Sequence, residues 1–387
     1  MVMKGTAVGW FGTFLQLTVR LSWGIIVVPI SALLHLNPVQ MGLVATFFYV
    51  GYVASSVPWG LMIDKVGPVK AMLIASFPLA ILNLFLFFYL SYPILLGVYL
   101  VEGLIASAIF PSAMKIVSIL HSKDERLTFY VALLETASPI TILVLSLVAG
   151  LLLNFWRFFF LGMTAMFLVF AGLTLSLRMK IESSEIRRSF RVILRREIFL
   201  ATLLRLGELW ATWGTTTWIF SMLVLYRHFP STLSTLFLGL FGLGQLVGII
   251  SVEKAVKRIG DINLIFLSLV GFIIISLSIV FSPEIAVIGE ALLLGIFSFS
   301  YRPPTDSLIM KIAGSGSAAT SIGYANAVSQ VGTMIAPVFI GIILYLTKSF
   351  TLSVLGLDTG CAIGIASLVV LSKILSGNLS NYRSDRE

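Results

Sequence analysis

Long apolar stretches alternate with short polar segments along the entire chain. A helix that crosses a bilayer needs about 20 mainly apolar residues, and charged residues, Pro, Gly and Asn mark off about 12 such stretches. The predicted spans are residues 6–34, 40–61, 69–90, 94–117, 127–152, 158–177, 199–225, 233–252, 263–281, 285–301, 321–346 and 350–371. The pattern predicts an all-α polytopic membrane protein with 12 transmembrane helices.

The longest polar segment divides the predicted spans into six and six. It reads RMKIESSEIRRSFRVILRRE from Arg178 to Glu197. Its basic residues, interspersed with apolar ones, are compatible with an amphipathic helix on the inner leaflet or with a solvated linker. We therefore divide the chain into an N-terminal six-helix bundle, a cytoplasmic linker, a C-terminal six-helix bundle and a cytoplasmic tail. Their predicted ranges are 1–177, 178–198, 199–373 and 374–387.

The two predicted bundles repeat a polar loop and a proline at matching positions. GLMIDKVGPVK follows span 2, and EKAVKRIGD follows span 8. Pro139 in span 5 follows Gly67 at nearly the same separation as Pro337 in span 11 follows Gly260. Internal repeats of this kind are typical of membrane transporters.

Composition and charge agree with a membrane location. Hydrophobic residues make up 58% of the chain and charged residues 11%, whereas soluble proteins average about 25% charged. With both termini placed in the cytoplasm, twenty of the 26 Lys and Arg residues fall on the inner side and three on the outer side. The net charge of +9 therefore indicates orientation in a lipid bilayer and not a nucleic-acid partner. We expect a multi-pass protein of the cell membrane with both termini cytoplasmic.

Small residues within the later spans are interpreted as packing positions. Gly244 with Gly248, and Gly360 with Gly364, have the four-residue spacing that lets helix backbones approach closely. Cys361 is the single cysteine, so the chain can form no internal disulfide, and we expect this residue to fill a small core position.

The loop after span 2 carries a family signature. Gly60, Asp64, Lys65 and Gly67 match the pattern G-x-x-x-D-[RK]-x-G of the major facilitator superfamily. FPSAMK at 110–115 followed by DER at 124–126 is also similar to that family. The chain resembles a major facilitator superfamily transporter over its whole length. The resemblance implies two pseudo-symmetric six-helix bundles, a central cavity lined by spans 1, 4, 7 and 10, and a role for the loop motif in the conformational cycle.

Ionisable residues inside the apolar spans are candidates for transport chemistry. A charge at mid-membrane depth costs about 3 kcal/mol even on mild insertion scales, so such residues usually face a protein interior or water. They are Arg20, Glu102, Glu135, Arg205, Glu208, Glu290, Arg302 and Asp358. Most of them fall on the spans that the resemblance places around the cavity, and structural ion pairs are the competing interpretation.

Arg20 near the centre of span 1 is the strongest candidate for substrate binding. Gln16 and Trp23 lie about one turn from it, near the same helical face. A guanidinium binds a carboxylate or phosphate through two parallel hydrogen bonds, which Lys cannot reproduce. The alternative is a permanent ion pair with Glu102 or Glu135. Both hold if a carboxylate that pairs with Arg20 in the empty protein takes a proton when substrate displaces it.

An Arg on span 1 with a Glu on span 4 is similar to the anion:cation symporter branch of the superfamily, although Val19 replaces the acidic residue usual before the Arg. The resemblance implies symport of a small organic anion by alternating access. A proton is the expected coupling ion, and sodium is the alternative. Glu208 is a third candidate proton carrier, and Trp213, Asn326 and Gln330 are candidate substrate contacts.

Three other functions fit the sequence less well. A proton-coupled drug or metabolite efflux antiporter is the main alternative, but Ser138 and Pro139 begin a segment that lacks the glycines of the antiporter pattern in span 5. An integral membrane enzyme is disfavoured because the three histidines have no metal-ligand spacing. A non-transporting membrane sensor is disfavoured because we see no added soluble domain. We expect a monomer with no cofactor and no metal site.

Overall fold

The computed structural model describes residues 2–121, 127–177, 194–314 and 318–384. Within these ranges the regular elements are sixteen α-helices. They are α1 (Val2–Leu34), α2 (Pro38–Val66), α3 (Pro68–Phe88), α4 (Tyr92–Ala106), α5 (Ile109–Leu120), α6 (Leu127–Glu135), α7 (Ala137–Leu147), α8 (Ala149–Asn154), α9 (Trp156–Leu175), α10 (Arg196–Leu225), α11 (Ser231–Ile259), α12 (Asp261–Phe281), α13 (Glu284–Ser300), α14 (Arg302–Ala313), α15 (Ala318–Thr347) and α16 (Phe350–Ser384). Most of the predicted linker at 178–198, the DER triplet at 124–126 and the last residues of the tail lie outside the described residues.

The helices confirm the all-α membrane architecture. In the described part of the chain, eleven segments are long and apolar enough to cross a membrane. Each corresponds to one of the predicted spans. The remaining predicted span, span 7, corresponds to α10, whose 30 residues exceed the length that a bilayer requires. This helix is not among the eleven, and it carries Arg205 and Glu208 in its interior.

Two predicted spans are divided into shorter helices, and a third was predicted too short. Span 4 is α4 and α5, joined at Ser107 and Ala108, while span 5 is α6, α7 and α8. The prediction that span 10 ends at Tyr301 is wrong, because the membrane-spanning segment continues through α14 to Ala313. Proline is well accommodated in the first helical turn, where its missing N–H is not needed, so RPP begins a helix here instead of ending one.

A glycine with a positive φ angle joins the helices at both copies of the repeated loop. Gly67 lies between α2 and α3 with φ of 89°, and Gly260 lies between α11 and α12 with φ of 80°. This region of backbone conformation is readily accessible only to glycine. The two loops therefore share their backbone geometry as well as their position in the sequence.

The chain forms two compact units. Unit 1 contains Met1–Glu185 and Thr216–Gly242, and unit 2 contains Ile186–Thr215 and Leu243–Glu387. Both units therefore draw on α10 and α11, and the boundaries predicted for the two six-helix bundles stay a prediction.

Unit 1 is held together partly by a close approach of α2 and α4. A Cβ atom built on Gly51 would lie 2.1 Å from the Leu100 carbonyl oxygen, and one on Gly103 would lie 1.9 Å from the Phe48 carbonyl oxygen. Only glycine fits at either position without moving a backbone. This contact places the face of α2 that bears Phe48, Gly51 and Tyr52 next to α4.

Helices in unit 2 also approach each other closely at glycines, as the glycine spacing predicted. A Cβ on Gly244 would lie 2.1 Å from the Leu292 carbonyl oxygen, and a Cβ on Gly360 would lie 2.5 Å from the Gly207 carbonyl oxygen. The close packing predicted for these glycines is confirmed. Cys361, next to Gly360, is buried as expected.

Candidate functional site

Arg20 is held in a defined position by one aromatic side chain of α2. Its Nε donates a hydrogen bond to Tyr49 Oη at 2.9 Å. Its guanidinium carbon also lies 4.5 Å from the centre of the Tyr49 ring, which is within the range of a cation–π interaction. Tyr49 therefore fixes the position of the guanidinium group within the membrane-spanning part of unit 1.

Two further groups lie near Arg20. Tyr52 lies one residue short of a full turn after Tyr49 on α2, and it interacts electrostatically with Arg20, Glu135 and Tyr49. Arg20, Tyr49, Tyr52 and Glu135 are called the Arg20 cluster below. The structure thus brings together one cation, one carboxylate and two phenol groups from α1, α2 and α6.

Glu102 lies on the side of α4 that faces α3. The residue is 1% exposed, and its Oε1 accepts a hydrogen bond from Asn83 Nδ2 at 2.8 Å. Tyr99, one turn earlier on α4, interacts electrostatically with Glu102. Of the two carboxylates proposed from the sequence as partners of Arg20, Glu135 is the one that shares a neighbour with it in Tyr52.

The other substrate contacts predicted on α1 lie in the interior of unit 1. Trp23 is 2% exposed. Its Nε1 donates to the Met41 carbonyl oxygen at 2.9 Å, and its ring meets the Tyr99 ring edge-on at 5.3 Å. Gln16 is also buried, and its Nε2 has no hydrogen-bond partner among the described residues. Substrate contact by Gln16 and Trp23 stays a prediction.

Unit 2 contains a second buried polar cluster. Glu208 on α10 accepts a hydrogen bond at Oε1 from Thr305, and its carbonyl oxygen accepts one from Tyr301 Oη at 2.9 Å. Arg205, one turn earlier, forms an ion pair with Asp306 and donates to Asn326 Oδ1 at 3.4 Å. The predicted sites Glu208 and Asn326 are therefore close to an acid–base pair.

The surroundings of the remaining predicted substrate contacts, Trp213 and Gln330, do not indicate a function. Trp213 is 4% exposed, and its ring meets Phe299 edge-on at 6.4 Å. Gln330 on α15 has a buried Oε1 with no hydrogen-bond partner in the part of the chain that is described. Nothing in these contacts distinguishes packing from substrate binding, so both roles stay predictions.

The sequence analysis missed several of the polar residues that surround these charges, among them Tyr49, Asn83 and Asp306. Tyr49 and Asn83 are uncharged, so no feature of the sequence separates them from ordinary residues of a membrane helix. Asp306 was missed because span 10 was predicted to end before it. The proline pair that begins α14 was the available signal, since proline favours the first turn of a helix.

The loop motif joins the end of α2 to α5. Asp64 Oδ1 lies 2.7 Å from Lys115 Nζ, and Lys65 is exposed beside it. Open space surrounds the Cα of Gly60. Unit 2 has a matching ion pair between Asp261, at the start of α12, and Lys311 on α14. The partners are 51 residues apart in the first pair and 50 in the second.

Comparisons with known proteins agree on one family. A family model of the Major Facilitator Superfamily matches residues 9–337. The probable sulfoacetate transporter of Cupriavidus necator is 25% identical over 374 residues, covering 86% of this chain and 84% of that protein.

Solved transporter structures share the fold. The nucleoside transporter NupG superposes with a TM-score of 0.75 at 14% identity, covering 96% of this chain and 99% of that one. A bacterial homologue of the human lysosomal transporter Spinster, in an inward-facing and occupied conformation, gives 0.73 at 14% identity and covers 96% and 94%. At these identities the likeness extends to the fold alone.

Proposed function

Because the chain belongs to the Major Facilitator Superfamily, we propose that it is a secondary active transporter that moves a small organic anion by alternating access, in symport with protons. The observation that carries the proposal is the Arg20 cluster, in which a guanidinium is held inside a membrane-spanning helix by Tyr49. The relative named as a probable sulfoacetate transporter supports an anionic substrate. The transporter names of the relatives point away from an enzyme.

The chemistry of the Arg20 cluster suits a carboxylate or sulfonate. Arginine keeps its charge at every physiological pH and presents planar donors that match the two oxygens of such a group. The Tyr49 hydroxyl accepts a hydrogen bond from Arg20 Nε, and the Tyr49 ring lies against the guanidinium group. These two contacts orient the plane of the guanidinium before substrate arrives. Pre-orientation of this kind raises affinity because less freedom is lost on binding.

Glu102 and Glu135 are the proposed proton carriers in unit 1. Glu135 shares the neighbour Tyr52 with Arg20. Binding of an anion at Arg20 would therefore change the electrostatic potential at the Glu135 carboxyl group. Glu102 is buried away from solvent, where an uncompensated charge is costly. Glu208, held by Thr305 in unit 2, is the third proposed carrier.

The loop motif is proposed to act in the conformational cycle and not in substrate contact. Asp64 joins the end of α2 to α5 through Lys115, and this ion pair would have to alter if the two helix ends separate. We further propose that the protein lies in the cytoplasmic membrane with both termini inside.

A substrate screen in proteoliposomes tests this function. Uptake of sulfoacetate and of simple mono- and dicarboxylates is measured with an imposed proton gradient, with an imposed sodium gradient and with no gradient. The proposal expects anion uptake that the proton gradient accelerates. If a sodium gradient alone drives anion uptake, the coupling ion is sodium and not the proton. Export of lipophilic cations without anion uptake would favour the antiporter.

A further inference from the structure

Asn83 and Glu102 form an isolated polar pair inside unit 1. Asn83 lies on α3 and Glu102 on α4, and each is 1% exposed. One hydrogen bond joins them, from Asn83 Nδ2 to Glu102 Oε1 at 2.8 Å. Buried polar groups in proteins are normally fully hydrogen-bonded, so the other atoms of both side chains require a partner.

The orientation of the Asn83 amide is fixed by a second hydrogen bond. Nδ2 also donates to the Leu79 carbonyl oxygen at 2.9 Å. A carbonyl oxygen only accepts hydrogen bonds, so the atom facing Leu79 must be the nitrogen and not the oxygen. Both amide hydrogens of Asn83 are therefore used, and Oδ1 is the atom that remains.

Each side chain of the pair retains one buried acceptor. Asn83 Oδ1 and Glu102 Oε2 are both buried and have no hydrogen-bond partner among the described residues. An ionised Glu102 is an acceptor only, so neither atom could satisfy the other. A single proton on Glu102 Oε2 would turn that atom into a donor, and Asn83 Oδ1 is an acceptor on the side chain that already bonds Glu102 Oε1.

Among the described residues, no cation is placed where it would stabilise the ionised form of Glu102. Helix α4 packs against α2 and α3, and the phenol of Tyr99 is the titratable group that interacts with Glu102. Tyr49 and Tyr52 are the other titratable groups in the middle of α2. In the described residues of α2, α3 and α5, the charged side chains are Asp64 and Lys65 near the end of α2, Lys70 near the start of α3, and Lys115 within α5, whose Nζ lies 2.7 Å from Asp64 Oδ1.

We propose that Glu102 carries a proton on Oε2 in this conformation and donates it to Asn83 Oδ1, so that Asn83 is the positioning residue for this proton site. The amide and the carboxylic acid then form a ring of two hydrogen bonds. The proton binds to the carboxylate oxygen from water and returns to water, and no other bond changes. The inference rests on the proposed role of Glu102 as a proton carrier.

Infrared difference spectroscopy of the purified protein tests the pair without substrate. The carbonyl band of a protonated carboxylic acid is recorded at neutral pH for wild type and Glu102→Gln, and the band lost in the variant is assigned to Glu102. Asn83→Leu removes both hydrogen bonds to the carboxyl group, so the assigned band is expected to move to higher frequency. Asn154→Leu is the matched control, because Asn154 Nδ2 donates to a carbonyl four residues earlier but the residue is exposed.

A swapped pair keeps the test informative if Asn83→Leu does not fold. Asn83→Asp combined with Glu102→Gln places the carboxyl group on α3 and the amide on α4, and a protonated carboxyl band is expected to return. Two results overturn the inference: Glu102 contributes ionised carboxylate bands at neutral pH, or its band keeps its frequency in Asn83→Leu. Proton-driven uptake together with either result would refute the pair and leave the proposed function standing. If the expected bands appear but there is no proton-driven uptake, the Asn83–Glu102 pair stands and the proposed function is refuted.

Discussion

At the scale of single residues, the account depends on Arg20 having the shape of a guanidinium and not only its charge. Arg20→Lys keeps the charge and loses both the planar fork and the Nε donor that meets Tyr49. Hydrogen bonds to charged groups are worth about 2 kcal/mol, so the substrate KM should rise about 10- to 30-fold. Arg157→Lys, at an exposed position of α9, is the matched control and should transport normally. A normal KM in Arg20→Lys would make Arg20 a structural residue.

Sequence reasoning found the charged residues of the site but not their partners. Arg20, Glu102 and Glu135 stand out because a charge within an apolar stretch is costly. Tyr49 and Asn83 do not stand out, because phenol and amide groups are tolerated in membrane helices. Which polar residue meets which charge depends on helix rotation and packing, and the chain alone carries no strong signal for either.

At the scale of elements, the contact between α2 and α4 positions two parts of the candidate site in unit 1. These are the tyrosines of the Arg20 cluster on α2 and Glu102 on α4. Gly103→Ala would place a Cβ 1.9 Å from the Phe48 carbonyl oxygen, so the helices must separate. Overpacking of this kind costs about 1 to 3 kcal/mol.

Gly97→Ala on the same helix is the control, because open space surrounds Gly97 and alanine favours a helix by about 1 kcal/mol over glycine. Thermal unfolding in detergent should therefore show Gly103→Ala less stable than wild type and Gly97→Ala at least as stable. Equal stability of the two variants would contradict the close contact between α2 and α4.

The ion pair between α2 and α5 gives a second prediction at this scale. Asp64→Asn should slow turnover while the substrate KM stays within a few-fold, because the pair joins helix ends and touches no substrate. Partly exposed pairs contribute about 1 kcal/mol or less, so the protein should still fold.

Glu253→Gln is the control for Asp64→Asn. It removes an ion pair with Lys257 that lies within α11 and joins no two helices. Turnover should be unchanged in this variant. A loss of affinity without a loss of turnover in Asp64→Asn would contradict the proposed role of the loop motif.

At the scale of the whole molecule, the distribution of basic residues predicts the orientation in the membrane, and this prediction can be checked directly. Cys361 is the single cysteine and is buried, so the wild-type protein gives little labelling with a membrane-impermeant thiol reagent. Cysteines introduced at Lys65 and Lys257 should react only from the inside, and those at Arg227 and Lys348 only from the outside. Labelling of Lys65→Cys from the outside would contradict the predicted orientation and indicate the inverted topology.

The fold was more predictable than its details at this scale. The all-α architecture and the repeated loop followed from hydrophobic length and from the glycines at Gly67 and Gly260. The continuation of span 10 beyond Tyr301 did not, because RPP has the composition of a loop but takes up the first turn of a helix. Asp306, the ion-pair partner of Arg205, was missed for that reason alone.

The central claim of the account is that Glu102 couples anion transport to the movement of a proton, and its most direct test compares two transport modes of Glu102→Gln in proteoliposomes. Gln keeps the shape of a protonated Glu but cannot release a proton, so exchange of the anion found in the screen should continue at a rate near that of wild type. Accumulation driven by a proton gradient should be lost, while Glu284→Gln, at an exposed position, should accumulate the anion normally. If Glu102→Gln accumulates the anion as wild type does, Glu102 is not the proton carrier and the central claim is wrong.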